Sequence, residues 1–117
     1  MSAESSSVLS QLMTVIESRR DNPPERSYTT TLFAGGVERI GAKITEEAAE
    51  VVEAAGEPDR SGREHLVREA ADLVYHLLVM LAHRGVSLAE LEAELAGRFG
   101  VSGLDEKAAR RPNEDRP

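Results

Sequence analysis

Five acidic residues in two short motifs are the part of this sequence with the types and spacing for chemistry. The first motif is Glu46-Glu47-x-x-Glu50, and the second, Glu69-x-x-Asp72, begins nineteen residues after the first ends. Side chains three residues apart lie on the same face of an α-helix, so each motif can direct two carboxylates at one point. If the two segments form neighbouring antiparallel helices, the four carboxylates of Glu47, Glu50, Glu69 and Asp72 meet as a cage.

Four crowded carboxylates oppose folding unless they are protonated or neutralised by a cation. No Lys or Arg stands between Arg68 and Arg84 to neutralise Asp72. Ligands that are all oxygen suit a hard cation, and Mg²⁺ is typically shared between carboxylates, waters and the phosphates of a substrate. The motifs therefore predict a Mg²⁺ site that recruits a polyphosphate. The alternative, a solvated acidic face, is the interpretation for the other glutamates on these helices and near the C-terminus: Glu53, Glu57, Glu90, Glu92 and Glu94.

Other metal chemistries fit the sequence less well. Di-iron helical bundles supply histidine through Glu-x-x-His, whereas the residues three positions after Glu47, Glu50 and Glu69 are all acidic. The chain has no Cys, which excludes disulfides, thiolate zinc sites, Fe–S clusters and cysteine nucleophiles. The three isolated histidines do not form a zinc motif. We interpret His65 and His83 as solvent or interface residues.

Composition limits the fold and the partners. The chain has 117 residues with a formal net charge of −7, and its apolar residues are mostly aliphatic, since aromatics make up 3%. One all-α domain is the expectation. An acidic surface disfavours binding to nucleic acid through phosphate contacts, so a nucleotide needs an intervening cation. The N-terminus resembles no signal peptide, and no apolar stretch is long enough to cross a membrane. We expect a cytoplasmic protein without a membrane partner.

Helical periodicity and breakers divide the chain into four helical patterns, and the expected fold is a bundle of four to five helices. The first follows the serines at 5–7 and ends at Asp21-Asn22-Pro23-Pro24. Residues 25–36, rich in Thr and Gly, are predicted to form an ordered loop. The second helix should run from about Val37 to Ala55 and stop at Gly56. Its apolar stripe, which places Glu47 at the edge of the core, consists of Val37, Ile40, Ile44, Ala48, Val51 and Ala55.

Two capping boxes mark the remaining helices. Ser61-x-x-Glu64 is predicted to open the third helix, which continues to Arg84, and Ser87-x-x-Glu90 to open the fourth, which reaches Gly100. Residues 70–82 are apolar nearly all the way round, so the third helix should be buried on more than one side. We expect a second copy to supply that covering, in a bundle completed by homodimerisation. The domain should span residues 1–104, with a mobile tail over 105–117.

The paired motifs resemble the all-α nucleotide pyrophosphohydrolases of the MazG type, whose carboxylates hold Mg²⁺. The longer segments SYTTTLFAGGVERIGAKITEEAAEVVEAA and EAADLVYHLLVML are similar to one branch, the phosphoribosyl-ATP pyrophosphatases of histidine biosynthesis. The resemblance covers roughly residues 8–111. Thr45 departs from that branch, which usually has Gly before the paired glutamates, but this change affects no ligand position.

The resemblance implies a helical dimer in which Mg²⁺ bridges a triphosphate while water cleaves the bond between its α- and β-phosphates. It implies that the four cage carboxylates are the metal ligands and makes Glu46 a candidate to orient or deprotonate water. Lys43 is a candidate phosphate contact, or else a surface lysine that pairs with Glu47. His76 is a candidate to support the Asp72 side of the site, or else a core histidine. The loop residues that are candidate substrate contacts, with a structural turn as the alternative, are Ser27, Tyr28 and Thr29.

Three functions remain open from the sequence. The favoured one is Mg²⁺-dependent hydrolysis of phosphoribosyl-ATP to phosphoribosyl-AMP and pyrophosphate, the second step of histidine biosynthesis. A house-cleaning nucleoside triphosphate pyrophosphohydrolase would use the same metal chemistry. A catalytically silent dimerisation module is disfavoured, because it would gain nothing from burying Asp72 without a partner.

Overall fold

A computed structural model describes residues 7–99, which form four α-helices and no strand. In chain order the helices are α1 (Val8–Asp21), α2 (Tyr28–Ala55), α3 (Asp59–His83) and α4 (Leu88–Ala96). The prediction of an all-α fold is confirmed. The predicted boundary at residue 104, the tail over 105–117 and the first two serines of the predicted cap lie outside the described residues. Across residues 7–99, no helix combines the length and apolar character needed to cross a membrane.

The core of the first three helices is aliphatic. α2 packs mainly against α3, and α1 contacts both of them. Removing these side chains from water is the principal stabilising contribution, at roughly 25 cal/mol for each Å² of apolar surface. The side chains that are almost completely buried come from all three helices: Met13, Ile16, Leu32, Ile40, Ala54, Leu78, Val79 and Ala82.

The predicted loop over residues 25–36 is wrong, because α2 begins nine residues earlier than the predicted Val37. Ser27 caps the helix, its Oγ accepting a hydrogen bond from the amide of Thr30 at 3.3 Å. Threonine lowers helix propensity by less than about 1 kcal/mol per residue, and burial of Thr29 and Leu32 outweighs that cost. The interruption is confined to Gly36, whose φ of 68° and ψ of −161° kink α2. That backbone conformation is accessible essentially to glycine alone.

The capping box predicted at Ser61-x-x-Glu64 is also wrong. α3 begins at Asp59 without a side-chain cap, and Ser61 Oγ instead lies 3.4 Å from Asp59 Oδ1. The cause is the tight connection to α2. A Cβ on Gly62 would collide with the carbonyl oxygen of Glu57, so the first turn of α3 is packed directly on the connection that follows α2.

The other predicted caps are present. Ser7 accepts from the amide of Ser10 at the start of α1. At the start of α4, Ser87 Oγ accepts from the Glu90 amide at 3.1 Å while the Glu90 carboxylate accepts from the Ser87 amide at 3.1 Å. α4 ends at Ala96, earlier than predicted.

Burial of the apolar segment of α3 is incomplete within one chain. Val79 is buried, but 37% of Val74 and 40% of Leu77 are exposed. The predicted stripe of α2 is likewise divided, since Ile40 is buried while 51% of Val37 is exposed. Apolar surface therefore remains on both helices, and its covering by a second copy stays a prediction.

Candidate metal centre

The two acidic motifs converge because α2 and α3 are joined by only three residues and pack side by side. One carboxylate oxygen from each of Glu47, Glu69 and Asp72 lies within 4.8 Å of the others. A second group, formed by Glu50, His65 and Glu69, meets the same distance limit. All four carboxylates of the predicted cage are thus brought together, and Glu69 belongs to both groups.

Glu47 is the buried member of the cluster, with 7% of its surface exposed. Burial raises the pKa of Glu47 to about 7, helped by a hydrogen bond with Glu69 and by the negative charges of Asp72 and Glu69. The sequence correctly placed Glu47 at the edge of the core. The expectation that Asp72 would be buried is wrong: its position on α3 leaves it exposed, so the unfavourable burial of charge falls on Glu47.

The cluster fits a divalent cation. Glu47 Oε1 is buried and has no hydrogen-bond partner among the described residues, which is a costly arrangement for a carboxylate. Proximity to Glu69 raises the pKa of Glu50 as well. A cation among these oxygens would satisfy the unpaired atom and would offset both the burial that raises the pKa of Glu47 and the repulsion by Glu69 that raises the pKa of Glu50.

Lys43 and Glu46 lie beside the cluster on α2. Lys43 Nζ donates to Glu46 Oε1 at 3.2 Å and lies 3.9 Å from Glu47 Oε2. The hydrogen bond with Glu46 is the main cause of a raised pKa at Lys43. The Glu46 side chain is 54% exposed, and it belongs to neither group of converging ligand atoms. Both predicted residues are therefore near the centre, with Lys43 between Glu46 and the buried Glu47.

The three residues of the predicted Ser27-Tyr28-Thr29 segment make different contacts, and only Tyr28 and Thr29 reach α3. Thr29 is buried and its hydroxyl is hydrogen-bonded to that of Tyr75, while Ser27 serves as the cap of α2. Tyr28 is 49% exposed, although its hydroxyl is bonded to His76. Ser27 and Thr29 thus have structural contacts in a helix and its cap, not in the turn that was the alternative, and Tyr28 is the member with surface to offer a substrate.

His76 is buried, with both ring nitrogens occupied. Its Nδ1 lies 2.8 Å from the Asp72 carbonyl oxygen, to which it can only donate, so Nε2 accepts from the Tyr28 hydroxyl at 2.7 Å. Tyr75 completes the group, its ring stacked on that of Tyr28 and edge-on to His76. His76 thus contacts the main chain of Asp72 and not its carboxylate. Tyr75 was not predicted, although it directly precedes His76 in the helix.

His65 was assigned to solvent or an interface, but it lies in the centre. Its Nδ1 is 3.1 Å from each carboxylate oxygen of Glu57, and its Nε2 is 3.3 Å from Glu69 Oε2. The hydrogen bond with Glu57 is the main cause of a raised pKa at His65. The signal available in the sequence was its spacing, since His65 precedes Glu69 by four residues and shares its face of α3.

Fold and site together define an all-α protein with a carboxylate-rich centre suited to a divalent cation. The sequence profile of the family described as "Phosphoribosyl-ATP pyrophosphohydrolase" matches residues 9–99. The chain belongs to this family and is a hydrolase.

Curated relatives agree with that assignment. A phosphoribosyl-ATP pyrophosphatase of Rhodopirellula baltica is 54% identical over 107 residues, covering 92% of this chain and 89% of the relative. The Paramagnetospirillum magneticum protein of the same name is 49% identical, over 92% of this chain and 96% of its own. The one from Chromobacterium violaceum is 43% identical, over 90% and 94% respectively. The similarity therefore extends over nearly the full length of each relative.

Proposed function

We propose that this chain hydrolyses phosphoribosyl-ATP to phosphoribosyl-AMP and pyrophosphate, the second step of histidine biosynthesis, with Mg²⁺ bound at the carboxylate centre. The observation that carries the proposal is the convergence of Glu47, Glu69 and Asp72 within 4.8 Å, around a buried and unpartnered carboxylate oxygen. The names of the relatives support the substrate. The oxygen-rich donor set supports Mg²⁺ over softer ions at this point.

The four carboxylates hold the cation in this proposal: Glu47 and Glu50 from α2, and Glu69 and Asp72 from α3. When bound, Mg²⁺ supplies positive charge that neutralises the polyphosphate and polarises the phosphorus under attack. The chain's own contribution is to fix these oxygens on two rigid helices. Glu46 is the candidate to orient or deprotonate the attacking water, since it is exposed beside the centre and free to turn towards a bound substrate once Lys43 releases it.

Substrate contacts are proposed on the α2 side of the centre. Lys43 Nζ lies within 4 Å of two carboxylates, where an ammonium group can move onto a phosphate oxygen. The half-exposed ring of Tyr28 offers a contact for the nucleoside. His76 fixes the Tyr28 hydroxyl through its 2.7 Å hydrogen bond, and Ser27 and Thr29 fix the segment that carries Tyr28.

A homodimer is part of the proposal. The helices that carry the site also carry exposed apolar side chains. On α3 these are Val67, Val74 and Leu77, and on α2 they are Val37 and Val52. Covering them with a second copy would bury surface that one chain of 117 residues leaves in water.

Pyrophosphate release from phosphoribosyl-ATP, ATP, dUTP and dCTP, each with and without Mg²⁺, tests the proposal. Phosphoribosyl-ATP should be hydrolysed much faster than the others, with pyrophosphate as a product, and EDTA should abolish the reaction. The gene should also restore growth without histidine to a strain that lacks this step. Preference for dUTP or dCTP together with failure to restore growth would transfer the assignment to the house-cleaning alternative. A metal-independent rate would refute the Mg²⁺ chemistry.

A further inference from the structure

Arg39 is an exposed cation of α2 that has no part in the proposed function. It lies one helical turn before Lys43, which lies one turn before Glu47, so the three side chains follow one face of the helix. Lys43 is paired with Glu46 and Glu47. The guanidinium of Arg39, in contrast, makes no hydrogen bond or ion pair with any residue in the range 7–99. Its N–H donors are therefore available to a ligand.

The kink of α2 brings Tyr28 to the face that carries Arg39 and Lys43. In a straight helix, Tyr28 and Lys43 would stand about 22 Å apart along the axis. The charges of both cations nevertheless act on the Tyr28 hydroxyl, since they offset part of the rise in its pKa that burial causes. Such an effect requires a short distance. Gly36 permits this approach, because its φ of 68° interrupts the helix between Tyr28 and Arg39.

The side chain of Arg39 is directed away from the carboxylate centre. A Cβ on Gly35 would collide with the Cβ and Cδ atoms of Arg39, so the stem of Arg39 lies across Gly35, towards the start of α2. Long side chains of a helix usually take this direction. The rise from Arg39 to Glu47 is already about 12 Å along the axis, and the direction of the stem adds to it. The guanidinium is thus well separated from the clustered carboxylates, with Lys43 between them.

Phosphoribosyl-ATP carries phosphate at two places, in its triphosphate and on the ribose that is attached to the adenine. We propose that Arg39 binds the phosphate of this ribosyl group and thereby selects phosphoribosyl-ATP over ATP. With the triphosphate at the carboxylate centre and Lys43, and the nucleoside at Tyr28, Arg39 is the unpaired cation on the side of Lys43 away from that centre. A guanidinium suits a terminal phosphate because it donates two parallel N–H bonds. The inference rests on the proposed function for the substrate and for the position of its triphosphate.

Hydrolysis of phosphoribosyl-ATP and ATP by the full chain, measured in parallel with Mg²⁺, tests the role of Arg39. Arg39→Gln should lower kcat/KM for phosphoribosyl-ATP about 10- to 100-fold, as expected for loss of a charged hydrogen bond, and leave kcat/KM for ATP unchanged. Arg39→Lys should recover only part of the loss, because an ammonium group cannot make the bidentate contact. The matched control is Arg63→Gln, an exposed cation on the side of α3 opposite Asp72, which should alter neither rate.

Binding of the product phosphoribosyl-AMP in EDTA gives a second readout, which needs neither metal nor turnover. This product keeps the ribosyl phosphate and has lost pyrophosphate, so a comparison with AMP isolates the contribution of the phosphoribosyl group. Calorimetry should show that the wild type binds phosphoribosyl-AMP more tightly than AMP, and that Arg39→Gln removes most of this difference. Circular dichroism verifies that each variant is folded.

The outcomes distinguish this inference from the proposed function. If Arg39→Gln keeps the wild-type preference for phosphoribosyl-ATP over ATP, or loses activity equally on both, Arg39 does not bind the ribosyl phosphate and the proposed function stands. The same conclusion follows if Arg39→Gln still binds phosphoribosyl-AMP more tightly than AMP by the wild-type ratio. A wild type that hydrolyses ATP as well as phosphoribosyl-ATP would overturn both.

Discussion

Tyr28 donates a 2.7 Å hydrogen bond to His76, joining the first turn of α2 to the middle of α3. His76 donates in turn to the main-chain carbonyl of Asp72 at 2.8 Å. The segment before the Gly36 kink is therefore fixed to the same turn of α3 that carries one of the clustered carboxylates.

The first prediction concerns the hydrogen bond between Tyr28 and His76. Tyr28→Phe leaves Nε2 of a buried histidine without a donor, so the free energy of unfolding should fall by about 1–3 kcal/mol. A double-mutant cycle with His76→Gln, measured by urea unfolding, should give a coupling energy of about 1 kcal/mol or more. Additive effects of the two changes would show that the contact contributes nothing to stability.

Much of this arrangement could be predicted from the sequence, and the failures have identifiable causes. The 3.6-residue periodicity locates Glu47 and Glu50 on α2 and Glu69 on α3, because spacing alone determines which side chains share a helix face. The helical turn at Tyr28 was missed because local propensity favours a loop, whereas burial of Thr29 and Leu32 decides the conformation. Glu57 lies in the connection between α2 and α3, so no pattern within one helix reveals its contact with His65.

The second prediction is that the four carboxylates act together in catalysis. Glu47→Gln, Glu50→Gln, Glu69→Gln and Asp72→Asn should each lower kcat/KM by on the order of 10²-fold or more, because each change removes a charged ligand while preserving shape. Glu53→Gln, an exposed change on α2, is the matched control and should leave the rate almost unaltered. Wild-type rates in Glu50→Gln and Asp72→Asn would contradict the metal assignment.

The third prediction follows from Glu47, whose pKa is raised to about 7 from an ordinary value of 4.5. Between these values the folded chain binds more protons than the unfolded chain, so without divalent ions the free energy of unfolding should fall as pH rises. The loss should be on the order of 3 kcal/mol. Urea unfolding in EDTA at pH 4.5 to 8 measures it.

Glu47→Gln supplies the control for this pH dependence, because it cannot lose a proton. It should reduce the slope of the profile and be more stable than the wild type at pH 8 in EDTA. Saturating Mg²⁺ should reverse the order, since binding to the ionised Glu47 stabilises the folded wild type. The same slope in both proteins would mean that Glu47 does not titrate in this range.

The fourth prediction compares substitutions at an exposed and at a buried apolar residue of α3. Wild-type protein should sediment as a dimer at micromolar concentration. Leu77→Glu should give a folded monomer, because Leu77 is 40% exposed in the single chain, whereas Leu78→Glu should unfold it, because Leu78 is 1% exposed. Sedimentation paired with circular dichroism distinguishes the two results. A wild-type monomer would contradict the dimer.

The fifth prediction concerns Lys43, whose ammonium lies 3.2 Å from Glu46 and 3.9 Å from Glu47. A lysine that only pairs with neighbouring carboxylates at the surface contributes about 0–1 kcal/mol. If Lys43 instead moves onto a phosphate in the transition state, Lys43→Ala should cost about 2–4 kcal/mol in kcat/KM for phosphoribosyl-ATP.

Stability and catalysis separate these two roles of Lys43. If Lys43 contacts a phosphate, Lys43→Ala should reduce kcat/KM strongly while the free energy of unfolding in urea changes little. ATP lacks the phosphoribosyl phosphate, so kcat/KM for ATP should fall only if Lys43 contacts the triphosphate. Arg84→Ala removes an exposed cation just beyond the end of α3 and should leave kcat/KM within experimental error. Equal rates for Lys43→Ala and Arg84→Ala would mean that Lys43 forms only a surface ion pair. Another cation of the chain would then have to contact the phosphate.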